Sequence, residues 1–238
     1  MRDPGGLLLG LAVLLAVVVG GLRMARAAVL RGGGDRRSIA LDTDVGLERR
    51  AWARERGWQY VPGPVAVATD GLEPPGTLPP VQATHVVVGA FEGRRTVIAT
   101  RSGERVPQGG GRTIDWRTPS VRLELRSDGV SRPHPTVLLL HGAQDTTGAL
   151  PALVRRRELA TVRAPQGLPW LVATPAGVSA DVLAVLDGVF RSDVPRGVAV
   201  LVDGDGVAVA VPGSGARSQV TGLIRLAQRV AEAVERLD

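Results

Sequence analysis

Residues 197–211 read GVAVLVDGDGVAVAV, in which two runs of alternating apolar residues flank an Asp-Gly pair. Alternation with a period of two is typical of a β-strand that buries one face. Asp205 and Gly206 supply the positive φ that a tight turn between two such strands needs. The stretch therefore predicts a β-hairpin, and one face of this hairpin is expected to consist of valines: Val198, Val200, Val202, Val207, Val209 and Val211.

The most regular amphipathic segment of the chain, residues 218–237, follows this hairpin. Its apolar residues recur in alternating steps of three and four, which is the spacing of one helix face. We expect this face to pack against the chain's own sheet, and a homodimer through the C-terminal helix is the alternative use of the same stripe. The stripe consists of Val220, Leu223, Ala227, Val230, Val234 and Leu237.

Shorter patterns upstream add strands to the sheet. The segment THVVVGAFEGRRTVIAT, residues 84–100, predicts a second hairpin that turns at Glu92 and Gly93. Apolar or alternating runs predict further strands at residues 58–61, 121–126, 136–141 and 169–174. Each of the two predicted hairpins joins antiparallel strands, and we expect a mixed, largely antiparallel sheet.

Helix start and stop signals flank residues 45–56. Asp42, Thr43 and Asp44 are N-cap candidates for a helix that ends near Arg56, and Gly57 is placed to stop it. We also predict a loop at residues 62–80 and a connection with a brief strand near Trp116 at residues 101–118. A further helix is predicted at residues 179–191. The fold class predicted for the domain is α+β, a mixed, largely antiparallel sheet with a long C-terminal amphipathic helix.

The amino-terminal segment from Gly5 to Leu22 carries no charged residue over about 18 positions. As a helix it would span ~27 Å, close to the hydrocarbon core of a bilayer. Arg23, Arg26 and Arg31 follow it, which predicts a single-pass anchor in the cell membrane with a cytoplasmic domain and arginines near anionic headgroups. The alternative is a signal peptide cleaved near residues 24–27, which would yield a secreted protein.

These boundaries divide the chain into four parts. Residues 1–30 are predicted to form the transmembrane anchor and its basic flank, and residues 31–43, with three consecutive glycines, a flexible linker. Residues 44–135 are expected to form a helix plus hairpin subdomain. Residues 136–238 are expected to form a strand–helix–hairpin–helix subdomain.

Composition excludes several kinds of chemistry. The chain has no Cys, so it has no thiol nucleophile, disulfide or cysteine-ligated metal. All 29 basic residues are Arg, so P-loop and Schiff-base lysines are also excluded. The three histidines, His85, His134 and His141, share no metal-ligand spacing, and we expect no metal and no cofactor. The net charge of +6 indicates an Arg-rich solvated surface rather than a nucleic-acid site.

A hydrolase is the enzyme class that one stretch of the sequence suggests. TVLLLHGAQDTTG, residues 136–148, ends an apolar run with His141 and Gly142, as the oxyanion strand of α/β-hydrolases does. The chain has no G-x-S-x-G nucleophile elbow after it, so we predict no catalytic residue. An exported or cell-envelope hydrolase with an unrecognised site is retained as the alternative function.

Glycines also precede the C-terminal helix. Gly213, Gly215 and Ser218 follow a strand at a spacing similar to that of a dinucleotide fingerprint, but no acidic residue follows on a further strand. We expect a tight helix start here. Anion binding by the backbone amides with help from Arg217 is the alternative.

Three of the seven aromatic residues cluster near one helix–strand junction. Trp52, Trp58 and Tyr60 lie within nine positions of one another in a chain that is 3% aromatic. Core packing is the simpler expectation for them, and a small binding cleft roofed by indoles is the functional alternative. These three residues are the candidate binding site.

Two short motifs carry a resemblance to a known family. The first, A-x-x-x-G-W-x-Y, is matched by Ala53, Gly57, Trp58 and Tyr60, and the second, V-x-G-x-x-x-G-R, by Val87, Gly89, Gly93 and Arg94. In these motifs the chain resembles an uncharacterised family of actinobacterial single-pass membrane-anchored proteins. The resemblance implies a transmembrane helix followed by the order of elements predicted above, and it implies no activity. We therefore predict a non-catalytic membrane-anchored binding or scaffolding protein whose ligand and protein partner are unknown.

Overall fold

The computed structural model describes residues 36–67, 72–74, 76–107, 109–125, 134–142, 159–163, 168–175, 177, 179–191, 193–204, 206–213 and 215–237. The chain divides into two compact units, Met1–Asp44 and Val45–Asp238. The predicted anchor, its basic flank and residues 31–35 of the predicted linker lie outside the described residues. Within the described ranges, no helix is both long enough and apolar enough to cross a membrane.

The described part of the chain contains ten strands and four helices. The helices are α1 (Arg36–Arg56), α2 (Ser179–Val185), α3 (Asp187–Phe190) and α4 (Arg217–Val234), and α4 ends in a 3₁₀ turn, Glu235–Leu237. The strands are β1 (Gln59–Val61), β2 (Val65–Val67), β3 (Thr77–Phe91), β4 (Arg94–Arg105), β5 (Ile114–Glu124), β6 (His134–His141), β7 (Ala160–Arg163), β8 (Trp170–Thr174), β9 (Ala199–Gly204) and β10 (Gly206–Ala210).

All ten strands belong to one sheet. Its order is β1-β3-β4-β5-β10-β9-β6-β8-β7, with β2 also paired to β3, and every pairing between the described strands is antiparallel. The predicted hairpin β9–β10 lies in the middle, because β10 pairs with β5 and β9 pairs with β6. Residue 135 is the predicted boundary between the two subdomains, and strands from both sides of it hydrogen-bond into the same sheet.

The main core lies on the face of the sheet that carries the valines of β9 and β10. All six predicted valines are buried there, in one cluster with residues of α1, α2, α3 and α4. Helix α4 buries the predicted stripe from Val220 to Val234 against the sheet. The α+β class, the antiparallel sheet and the C-terminal helix are therefore confirmed. A smaller apolar cluster, which includes Leu138, Leu201 and Ala208, lies on the other face.

Several predicted boundaries were wrong. Helix α1 begins at Arg36, so Asp42, Thr43 and Asp44 lie inside the helix, where no proline or glycine interrupts the turns before them. The predicted loop at residues 62–80 contains β2 and the start of β3, where a register shift between Leu78 and Gln82 accommodates two prolines. Residues 179–191 form two helices that are interrupted at residue 186.

The turns also differ in one respect from the prediction. In β3–β4 the turn residues Glu92 and Gly93 have φ of 49° and 78°, as predicted. In β9–β10, Gly204 has a positive φ of 60°, whereas Gly206 is already in β10 and pairs with Asp203. The two-residue loop therefore lies one position earlier than we expected, and residue 205 is outside the described residues.

The end of α1 follows the sequence signal closely. Gly57 has a φ of 67°, its amide donates to the Arg54 carbonyl at 3.2 Å, and the Trp58 amide donates to the Ala53 carbonyl at 2.8 Å. These two bonds form a Schellman motif, which commonly brings the residue after the glycine against the last turns of the helix. The motif directs the chain from α1 into β1 and places Trp58 next to Trp52.

Replacing Gly57 by alanine should lower the free energy of unfolding by about 1 kcal/mol, because a Cβ is strained at this φ although no atom lies within 4 Å of it. Urea denaturation of the full chain measures this change. Gly222→Ala is the matched control, since Gly222 is exposed inside α4 with open space around it. That substitution should raise the stability by roughly 0.5–1 kcal/mol. A loss of stability in both variants, or in neither, would contradict the positive φ that we assign to Gly57.

Candidate functional site

The three predicted aromatic residues come together where α1 meets β1. The ring centroids of Trp52 and Trp58 are 5.7 Å apart, with the planes tilted by 47°. Trp52 is only 2% exposed and belongs to the main core, whereas Trp58 and Tyr60 are half-buried against it. Trp58 and Tyr60 are therefore accessible at the surface, and Trp52 supports them from inside.

Trp58 rests on the backbone of Gly89 in β3. A Cβ added to Gly89 would stand 2.1 Å from Cγ of Trp58, so a side chain and the indole cannot both occupy this space. Strand β1 also pairs with β3 here, with Tyr60 opposite Val87. The two motifs of the family resemblance thus form one packing unit, in which the glycine of the second motif receives the tryptophan of the first.

The remaining motif residues have structural roles as well. Ala53 and Val87 are fully buried, at 1% and 0% exposure, and Gly93 provides the turn between β3 and β4. Arg94 is buried at the end of that turn and forms a bidentate ion pair with Glu235 after α4. The hydrogen bond from Glu235 raises the pKa of Arg94 above its ordinary value.

Two arginines lie over the indoles. The guanidinium of Arg56 is 5.0 Å from the Trp52 centroid and 5.8 Å from the Trp58 centroid, and that of Arg217 is 5.8 Å from Trp52. These distances allow cation–π attraction. Arg217 is held in place by Glu55, at 2.8 Å between Nη2 and Oε2. We define Trp58, Tyr60 and Arg56 as the aromatic–arginine surface, with Trp52 beneath it and the exposed Arg217 beside Trp52.

A polar contact fixes the Tyr60 end of this surface. The Tyr60 hydroxyl lies 2.9 Å from Nδ1 of His85, and the two rings are stacked with centroids 6.4 Å apart. His85 has a φ of 51° and lies in the register shift of β3 between Thr84 and Val87. This strand irregularity turns the imidazole toward Tyr60, because a regular strand would not direct it there.

Sequence analysis identified the three aromatic residues but not the groups around them. Arg56 lies four positions after Trp52, so helical spacing would have indicated that contact. Arg217, His85 and Gly89 come from distant parts of the chain, and no local pattern relates them to the indoles. The cluster contains hydrogen-bonding and stacking groups and suits the binding of a ligand with both apolar faces and hydroxyls.

The residues that suggested a hydrolase are engaged in structural contacts. The Gly142 amide donates to the Pro169 carbonyl at 2.7 Å, so it is not available as an oxyanion donor. His141 Nδ1 is 3.1 Å from the Pro195 carbonyl, and its ring packs on Trp170 with centroids 4.8 Å apart. Within the described ranges, no group of three or more His, Asp or Glu side chains is placed to hold a metal ion.

The comparisons with known proteins indicate one fold relative. No family model and no curated protein matches the chain. A solved structure that it resembles is described as the crystal structure of the mycobacterial trehalose monomycolate transport factor A, TtfA. The two chains are 16% identical, the match covers 79% of this chain and 93% of the other, and the TM-score is 0.54. At this identity the likeness establishes a shared fold, and its mycobacterial source agrees with the actinobacterial resemblance.

Proposed function

We propose that this protein is a non-catalytic, membrane-anchored factor that serves lipid transport. The observation that carries the proposal is the fold shared with a trehalose monomycolate transport factor, which extends over 93% of that chain. The uncharged segment Gly5–Leu22 supports membrane anchoring, and the arginines that follow it favour a cytoplasmic domain. A reporter fused after Asp238 that is active only outside the cytoplasm would contradict this orientation.

The aromatic–arginine surface is the part of the domain that suits a glycolipid headgroup. A sugar ring has an apolar face that stacks on an indole or phenol ring and hydroxyls that accept hydrogen bonds from a guanidinium. Trp58 and Tyr60 offer the rings, and Arg56, with its side chain 38% exposed, offers the donors. We therefore place the headgroup of a lipid of the trehalose monomycolate class on this surface.

Tryptophan fluorescence of the full chain in phosphatidylglycerol vesicles tests this placement. Adding trehalose monomycolate to the vesicles should change the fluorescence saturably, because Trp58 contacts the sugar. Trp58→Phe should lose most of the response. Arg56→Gln should weaken the apparent affinity roughly tenfold, the effect of losing a charged hydrogen bond.

Trp116→Phe is the matched control for the fluorescence experiment. Trp116 is 8% exposed and lies on the opposite face of β5 from the core residue Val121, so its loss should leave the response unchanged. Circular dichroism checks that each variant is folded. A response that persists in Trp58→Phe, or no response of the wild type to trehalose monomycolate, would refute the proposed headgroup site.

A further inference from the structure

Arg49 is a buried cation without a carboxylate partner among the described residues. Its residue exposure is 2%, and its guanidinium donates to two backbone carbonyls, His85 at 3.2 Å and Gly215 at 3.4 Å. The neighbouring Glu48 carboxylate accepts a hydrogen bond from the Arg217 amide instead. Burial lowers the pKa of Arg49 to about 10. A charge removed from water is costly unless anions compensate it, and the nearby Glu48 carboxylate offsets only part of this cost, since the pKa of Arg49 stays lowered.

Buried groups without a hydrogen-bond partner occur on α1, which carries Arg49, and on β4. Within the described part of the chain, Arg49 Nε, Thr100 Oγ1 and Trp52 Nε1 are buried and have no hydrogen-bond partner. Thr100 is 4% exposed, and both its hydroxyl and Arg49 Nη2 lie within 3.6 Å of the position that a Cβ on Gly215 would occupy. The arginine and the threonine therefore both lie beside Gly215, and both side chains can donate hydrogen bonds.

The start of α4 adds positive potential at the same place. Gly215 lies two residues before the helix, and the first turn of α4 contains no acidic residue. The N-terminal end of an 18-residue helix carries a partial positive charge and favours anions. The guanidinium, the threonine hydroxyl and the helix start thus all attract negative charge, and the Glu48 carboxylate supplies part of it through its hydrogen bond from the Arg217 amide.

We propose that Arg49 and Thr100 bind a small monatomic anion, chloride or a halide of similar size, at the start of α4. Arg49 and Thr100 are 2% and 4% exposed, so we expect the site to take a small anion rather than a large one. The bound anion neutralises Arg49, accepts the hydrogen bonds of its Nε and of the Thr100 hydroxyl, and fixes α1 to the segment that precedes α4. This proposal is independent of the lipid site, because it uses different side chains and a different ligand.

Thermal unfolding of the full chain in detergent micelles tests the site at constant ionic strength, with sodium chloride exchanged for sodium gluconate. We expect the Tm to rise by roughly 3–5 °C for each tenfold increase in chloride above its Kd. Thr100→Val keeps the side-chain volume but removes the hydroxyl, and it should abolish most of this rise. Thr100→Ser should retain it, and Arg49→Met should lose it.

Crystals grown in bromide provide a second measurement that does not depend on the stability of any variant. An anomalous peak is expected within hydrogen-bonding distance of Arg49 Nε and Thr100 Oγ1. Three results would overturn the proposal: the same Tm in chloride and gluconate, a chloride response that is unchanged in Thr100→Val, or a water molecule without anomalous signal at this position.

Discussion

Replacing Glu235 by alanine is expected to lower the free energy of unfolding by about 3–5 kcal/mol, the cost of leaving a buried charge unpaired. The Arg94 side chain is 2% exposed and that of Glu235 is 19% exposed, so the pair is largely removed from water, and among the described residues only the longer-range charges of Glu92 and Glu232 remain near Arg94 without it. The pair holds the β3–β4 turn to the end of α4, with 2.7 Å between Arg94 Nη2 and Glu235 Oε2. Urea denaturation of the full chain in detergent measures the loss.

The adjacent arginine provides the control. Arg95 forms an ion pair with Glu124 at 3.0 Å, but these side chains are 64% and 45% exposed. Glu124→Ala should therefore cost no more than about 1 kcal/mol. Equal effects of the two alanine substitutions would show that the Arg94 pair is not desolvated. Replacing Arg94 and Glu235 together by Met and Leu should recover much of the stability, since no unpaired charge then remains.

The sequence allowed the central part of this fold to be predicted because its patterns are local. Alternation in residues 197–211 determines which face of β9 and β10 is buried, and a spacing of three and four determines the buried face of α4. The extensions of β4 and β5 were missed because glycine and arginine weaken the strand signal there. Gly103 lies in β4 opposite Trp116, whose indole would be 3.3 Å from an added Cβ. The glycine at position 103 makes room for the indole on the neighbouring strand. The sequence of β4 alone does not show this neighbour.

The candidate site shows the same division between local and distant information. Trp52, Trp58 and Tyr60 are close in sequence, and the Schellman motif at Gly57 brings them together. The distant residues that contact them, His85, Gly89 and Arg217, come from β3 and from the start of α4. Arg49 is the clearest example, because within α1 it is one of several arginines, and only the packing of α1 on the sheet buries it, with no carboxylate hydrogen-bonded to it among the described residues.

Gly89→Ala should destabilise the protein by about 1–3 kcal/mol through overpacking. Gly89 has an ordinary strand φ, so alanine would otherwise be neutral or slightly favourable at this position. The added Cβ would stand 2.1–2.4 Å from three atoms of the Trp58 indole, which is the body of the ring rather than a flexible end. The indole must therefore move. Because Trp58 is proposed to contact the sugar, the fluorescence response to trehalose monomycolate should weaken in the same variant.

A double-mutant cycle separates this steric cost from any other effect of the alanine. In a Trp58→Ala background the space above residue 89 is open, so adding Gly89→Ala should cost nothing or increase stability slightly. An interaction energy of 1 kcal/mol or more between the two positions is therefore expected. If Gly89→Ala is equally costly in both backgrounds, the indole does not rest on Gly89. The glycine of the second motif would then not be explained by the tryptophan of the first.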